Sequence, residues 1–423
     1  MTSGPTAPAP HLTPKGKAAL DALLHAEVDS RLVPALTFGA TTADGEIYFA
    51  YAGERVLGEP DKGQVDAETV MSYHSCTKLM TTVAVLQLVD AGVLSLSDPA
   101  VVEKYAPELY AVPILEGYDE SGKAILKKRT QPLTLTHLLT HTSGMTYAFI
   151  NANTARWVKE NKLPGYFEHE AGLAGFVVPL AFEPGSSWTY GMGIDWAGII
   201  VERASGQTLE EYMSANIWQP LGLKSMTFLP GQDHFDRLQK VQTRDASGAL
   251  VPSEPLRPIC PNPSIRQLAG GGGVMGTPRD YLRFLRGILA SQNPTPSADN
   301  PALFSPQAFN TLFTNALPPR DVTPVYASLE KVTTMQSYHD SAHTANNAQS
   351  LGHSVGLVLN FEDSVHGRKA GSGCWDGAAK SQYWLDPKTG IAGICFTQLL
   401  TPNPEPFMGT YNRFERALYD ALE

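Results

Sequence analysis

Charge is scarce in this chain. Asp, Glu, Lys and Arg make up 17% of its 423 residues, against about a quarter in an ordinary soluble protein. What charge there is tips acidic, with 32 Lys+Arg against 42 Asp+Glu and a formal charge of −10. Nucleic acid and anionic membrane surfaces demand surplus positive charge, so neither is an expected partner. Cysteine is scarcer still. The four present, Cys76, Cys260, Cys374 and Cys395, are widely spaced, with no Cys-x-x-Cys and no Cys/His cluster. That argues against a disulfide scaffold and a structural zinc site, and fits reduced thiols. Long apolar runs are missing too: stretches such as Val83–Val89 fall far short of the ~20 residues of a membrane span. The opening MTSGPTAPAPHLTPKGK lacks the apolar region of a secretory signal. No internal repeat appears. The expectation is a soluble, acidic, cytoplasmic globular protein of two or three domains, at roughly 150 residues each.

What is present builds a core and many turns: 43% of residues are hydrophobic, with 37 Gly and 32 Pro. Leu20, Leu23, Leu24, Val28 and Leu32 keep helical spacing and predict an amphipathic helix over 14–32. Two β-rich runs, Ala35–Thr42 and Glu46–Gly53, flank Ala43-Asp44-Gly45, a hairpin signal. The middle reads as helical over 76–94, 132–141, 194–205 and 208–217. Another helix, Arg279–Leu289, follows Thr277-Pro278, where proline suits a first turn. Strands return at Val355–Phe361, Gln382–Leu385 and Ile391–Leu399, the last two joined by a turn over 386–390, and a helix closes at Phe407–Leu422. Strands at both ends with helices between predict an α/β fold. One antiparallel sheet is built from both termini and flanked by helices, with a mostly helical domain inserted. The expected boundaries are a disordered lead over 1–14, a sheet domain of 15–75 and 265–423, and a helical domain of 76–264, with an active site at their interface.

Ser75-Cys76-Thr77-Lys78 opens the helical run 77–91. Three residues along a helix is nearly one turn, about 4.5 Å of rise, so Ser75 and Lys78 share a face. A serine hydroxyl needs a base to take its proton, and lysine serves once desolvation and the helix N-terminus lower its pKa. Taken alone, Ser as an N-cap and Lys as a surface residue is the commoner reading. The apolar Met80, Val83 and Leu86 make a surface lysine odd here. Tyr190, in Trp188-Thr189-Tyr190-Gly191-Met192-Gly193, offers a phenol that can relay the proton. A buried structural tyrosine is its plain alternative. The third element is Gly371–Ala378, entering the strand Gln382–Leu385: small residues at a strand let a substrate lie close, and a backbone N–H here could pair with that of Ser75 around an oxyanion, an ordinary Gly-rich turn being the plain alternative.

In this order and spacing the three elements resemble the serine β-lactamase-like superfamily, which includes class C β-lactamases, penicillin-binding proteins, family VIII carboxylesterases and the fungal lovastatin acyltransferase branch. The segments 133–144, Phe182–Gly185, Asp195–Gly198, Gln219–Gly222 and Gly270–Pro278 agree, and 112–119 with 126–129 is most similar to the lovastatin branch. The resemblance spans roughly residues 15–420. It implies Ser75 as the acylated nucleophile and Lys78 and Tyr190 as base and relay. It also implies an oxyanion hole of the Ser75 and Ala378 backbone N–H groups, and neither metal nor organic cofactor. Candidate substrate-binding residues are Trp375, Asp376, Gly377, Tyr383 and Tyr147. Trp375-Asp376-Gly377 stands where β-lactamases carry Lys-Thr-Gly, so the cationic partner of a penicillin carboxylate is lost. The literal Lys388-Thr389-Gly390 falls in the next turn.

Three other motifs are weighed down. Gly352-His353-Ser354-Val355-Gly356 matches a nucleophile elbow, but only His366, with Asp363 almost adjacent, follows it. His137 and His141, at i, i+4, lack an intervening Glu and a third ligand. Cys76 reads as a small buried hydrophobe. The expected chemistry is two-step acyl transfer on a small-molecule ester or thioester. A carboxylesterase leads. An acyltransferase fed by a thioester or an acyl-carrier protein is the alternative, ahead of a β-lactamase or D-amino-acid peptidase and a non-catalytic binding protein. Specificity is expected from segments near 145–170, 230–265 and 320–350.

Overall fold

The computed structural model describes residues 9–256, 264–294, 301–321, 323–333, 351–402 and 405–423. Its main sheet has seven antiparallel strands drawn from the two ends of the chain. β1 (Ala35–Thr42) and β2 (Glu46–Gly53) come from one end. β3 (Leu351–His353), β4 (Val358–Asn360), β5 (Gly373–Gly377), β6 (Ser381–Asp386) and β7 (Ile391–Phe396) come from the other. The order is β2-β1-β7-β6-β5-β4-β3. Alternation along β1 shows how helices cover both faces. Phe38 stacks on Phe414, ring centroids 3.8 Å apart, beneath α5 (Phe407–Asp420) and its neighbour α1 (Pro14–Asp29). Gly39 faces the other way, toward Leu282 of α4 (Pro278–Ala290). α2 (Thr77–Asp90) is buried nearly all round and packs on α3 (Gly193–Ser205). Among the described residues no helix is long and apolar enough to cross a membrane.

The β1–β2 hairpin has the bounds its Asp-Gly turn predicts, with Thr42 N–H donating to the Gly45 carbonyl at 2.9 Å. Other elements are shorter than expected, because local caps stop them. α2 ends at Asp90, with Gly92 left-handed and Leu94 N–H turned back to Leu88. The helix expected over 132–141 is only Leu135–Leu139, box-capped by Thr134 and His137. That expected over 208–217 is Leu209–Met213 followed by a π turn. The strand expected over 355–361 is β4, shortened to Val358–Asn360, because a tight turn at 354–357 joins it to β3. The Gly-rich stretch before Gln382, for which an ordinary turn was the alternative reading, is strand β5 inside the sheet. Its glycines permit close approach rather than a bend: a Cβ on Gly373 would meet Leu357, and one on Gly377 the Tyr73 carbonyl. The hairpin Ile114–Tyr118/Ala124–Lys127 was not expected. Of the lead, residues 1–8 lie outside the described residues, whereas Leu12 is buried and bridged to Leu422. Cys76, Cys374 and Cys395 are free and buried; Cys260 lies outside the described residues.

Gly393 faces Trp384 across the β6–β7 pair, and a Cβ there would come within 2.2 Å of the indole ring. Gly393→Ala is expected to lower unfolding free energy by about 1–3 kcal/mol through overpacking. Urea denaturation reads this directly, and an unchanged midpoint would contradict the packing described.

Candidate active site

Ser75 lies in one 3-10 turn, His74–Cys76, that runs into α2. The turn is fixed at both flanks. Tyr73 N–H donates to Val274 O at 3.1 Å and its hydroxyl to Thr277 O at 2.6 Å. Tyr281 OH donates to Cys76 O at 3.0 Å. His74 adopts φ 48°, a left-handed value uncommon for a non-glycine residue. Lys78, one turn on, is only 2% exposed. Its Nζ donates to Gly271 O at 2.6 Å, to Ser75 Oγ at 3.3 Å and to Tyr147 OH at 3.4 Å. It also lies 4.6 Å from the centre of the Tyr190 ring. Tyr190 closes the set: its hydroxyl and Ser75 Oγ are 2.5 Å apart. The neighbouring Gly191 is required, since a Cβ there would fall 2.0 Å from Met145 O. The structure thus brings Ser75, Lys78, Tyr190 and Tyr147 together from three separate segments.

Burial governs the electrostatics. It lowers the Lys78 pKa to about 8, with Asp195, Cys76 and Asp376 pulling the other way. Burial raises the Tyr190 hydroxyl above its ordinary range, so it stays a phenol at neutral pH. Ser75 opens on a cavity of about 340 Å³. Tyr147, Phe149, Tyr166, Phe167 and Leu256 make its walls largely aromatic and apolar, and Ala378 contributes to its rim.

The other expected substrate contacts sit elsewhere. Trp375, Asp376, Gly377 and Tyr383 are not among the cavity-lining residues. β5 is an interior strand, and only the residue that follows it, Ala378, lines the cavity. Trp375 is buried behind Tyr190, ring centroids 5.6 Å apart. Tyr383, opposite Trp375 in the register, packs on Tyr281 at 5.3 Å. Gly377 backs onto the Tyr73 carbonyl. Asp376 is partly buried, and burial pushes its carboxyl up to about 7 against the pull of Lys380 and Lys78. Asp195, Tyr166, Phe149 and Gly271 were missed. Asp195 carried a signal, a carboxylate between Ile194 and Trp196 in an otherwise apolar helix turn.

The set-aside motifs find structural uses. Ser354 Oγ accepts the Gly356 and Leu357 N–H groups at 3.3 and 3.1 Å inside its turn. His137 caps a helix, and His141 lies beyond that helix's end at φ 60°. No group of residues that could hold a metal occurs among the described residues. Lys388-Thr389-Gly390 is a turn organised by Asp386, at the opposite end of β6 from Ser381 and the cavity. Of the expected specificity segments, 257–263, 322 and 334–350 lie outside the described residues.

The family model described as Beta-lactamase matches residues 20–418. Monacolin J acid methylbutanoyltransferase of Aspergillus terreus is 30% identical, covering 93% of each chain. A lovastatin esterase of Penicillium rubens is 29% identical over 90% of this chain and 93% of its own. The solved structure of unliganded simvastatin synthase of Aspergillus terreus superposes with a TM-score of 0.81 at 28% identity, covering 96% of this chain and 98% of that one.

Cys76 adjoins Ser75 but points inward, donating from Sγ to Ser381 O at 3.2 Å, and burial pushes its thiol well up. N-ethylmaleimide is therefore expected to leave Cys76 unmodified in the folded protein at pH 7.5 and to label it after denaturation. Rapid native labelling, read by peptide mass spectrometry, would contradict this packing.

Proposed function

The chain belongs to the beta-lactamase family, and from that premise we propose that it is a serine carboxylesterase working through an acyl-Ser75 intermediate. The observation that carries the reading is a serine within hydrogen-bond reach of both Tyr190 OH and Lys78 Nζ, at the floor of an apolar cavity. Neutral Lys78 takes the Ser75 proton as Oγ attacks the ester carbonyl. The oxyanion is held by the backbone N–H groups of Ser75 and Ala378. Tyr190, a phenol at working pH, hydrogen-bonds the serine oxygen and passes a proton to the departing alcohol, drawn in turn from Lys78. Water then attacks the acyl-enzyme by the reverse proton route and frees the acid. Metal and organic cofactor play no part in this sequence.

The apolar lining supports a neutral acyl substrate. Nothing on β5 supplies the cation that a penicillin carboxylate needs, because Trp375-Asp376-Gly377 occupies that strand and Lys388 is at its neighbour's far end. The same apolar walls favour a second reading, transfer of the acyl group from a thioester or carrier-bound donor to an alcohol, since they exclude the competing water. The relatives carry both names, a transferase and an esterase.

Ser75→Ala is expected to abolish p-nitrophenyl acetate turnover and the covalent fluorophosphonate adduct seen by intact mass. Full activity in that variant overturns the proposal. As pH rises through about 8 the neutral fraction of Lys78 grows, so kcat/KM should climb through that region and level off above it; a profile flat from pH 6 to 9 contradicts Lys78 as base. A short acyl thioester offered with alcohols separates the two readings: ester product in excess of free acid assigns acyl transfer. Nitrocefin turnover should stay far below ester turnover.

A further inference from the structure

We propose that Asp195 is the positioning residue that holds Lys78 in place and sets its basicity, through a carboxylate shared by Tyr147, Tyr166 and the Gly271 peptide. The proposal rests on the reading of Lys78 as base. Asp195 occupies the first turn of α3 and is fully buried. A buried carboxylate is costly unless its oxygens are satisfied and a counter-charge is near. Here both oxygens are used. Oδ1 accepts Gly271 N–H at 2.8 Å and Tyr166 OH at 3.1 Å, and Oδ2 accepts Tyr147 OH at 3.2 Å.

Two of these donors lead directly to the lysine. The residue whose N–H binds Asp195, Gly271, presents its carbonyl to Lys78 Nζ at 2.6 Å. The Tyr147 oxygen that donates to Asp195 accepts from Lys78 Nζ at 3.4 Å. The ammonium is therefore gripped at two points, and both grips are anchored on one carboxylate. Glycine is needed at 271, because a Cβ would lie 2.5 Å from Asp195 Oδ2. Asp195 also sits where the N-terminal end of a 13-residue helix favours negative charge.

Other titratable groups surround the lysine: Cys76 before α2, Asp376 on β5, Tyr190 and Tyr147 from their loops, His141, and Tyr166 on the far side of Asp195. Burial holds His141 neutral and the tyrosines as phenols. The acidic groups to weigh are then Asp195 and Asp376, both pushed up by burial, with Asp195 the larger influence on Lys78 and its charged form favoured by Lys78, Gly271 N–H and the two tyrosine hydroxyls. Removing the Asp195 charge should make Lys78 a weaker base, neutral at lower pH.

The test compares pH profiles of kcat/KM for p-nitrophenyl acetate in the wild type, Asp195→Asn and Asp195→Glu, each checked for folding by circular dichroism and melting temperature. Asp195→Asn keeps the size and loses the charge. Its inflection is expected to move acidward by about one pH unit or more, the scale of removing a nearby opposite charge, and its plateau to fall at least tenfold as the grip loosens. Asp195→Glu, which keeps the charge, should hold the inflection near the wild-type position. A merely structural role would lower the plateau and leave the inflection in place, so an unmoved inflection in folded Asp195→Asn overturns the proposal. If that variant does not fold, Asp195→Ser removes the same charge with a smaller group and is read identically. Lys78→Arg separates the two claims. If it loses activity and the wild-type inflection together while Asp195→Asn does not shift, Asp195 alone is misassigned. An inflection that survives Lys78→Arg overturns Lys78 as base and this inference with it.

Discussion

Everything at this site depends on one desolvated amine. Lys78 is withdrawn from water into a helix start, and what keeps it there is a short bond to the Gly271 carbonyl. The same withdrawal that makes the amine costly makes it useful, because loss of hydration brings its proton affinity close to neutral pH. Without that burial Ser75 is an ordinary N-terminal serine, and Tyr190 beside it an ordinary phenol. The rest of the structure serves to make burial tolerable, by supplying carbonyl, hydroxyl and carboxylate partners from segments far apart in the chain.

The fold delivers those partners through a few tight backbone approaches. Gly191 passes against Met145, Gly193 against Leu138, Gly271 against Asp195 and Gly377 against Tyr73. Each is a place where any Cβ would force strands or loops apart, so the site's geometry is set by main-chain contact as much as by side chains. The aromatic walls then follow. Tyr147 and Phe149 lie parallel at 4.9 Å, and Phe167 extends the stack at 5.9 Å from Phe149. They present flat apolar faces beside Ser75.

Much of this was legible in the sequence. Ser75 and Lys78 are read by helical spacing, and the outer hairpin by its Asp-Gly turn, because both signals are local. Elements governed by distant packing were not. β5 leaves strand and turn both open in the sequence because glycine weakens a strand, yet its glycines are there to let Leu357 and the Tyr73 carbonyl come close. Trp375 and Tyr383, candidates for substrate binding in the sequence, are paired across adjacent strands, but both are buried, and no pattern of residues announces what lies over them. Asp195 had a signal, a carboxylate in an apolar turn, whose meaning depends on Gly271, Tyr147 and Tyr166 meeting it.

The pairing of β1 with β7 carries a consequence for how the molecule comes into being. β1 is central and buried on both faces, but only its hairpin partner β2 is made soon after it. Its other edge stays unbonded until β7 leaves the ribosome, after every other strand of the sheet and the helices α1 to α4. An exposed apolar strand edge during that interval is an invitation to pair with other chains. The long loop to be closed also makes the joining step slow. Assembly of the sheet, and with it the docking of β5 and the Ala378 rim against Ser75, is thereby deferred until β7 has been made. An unfinished chain thus lacks a completed active site.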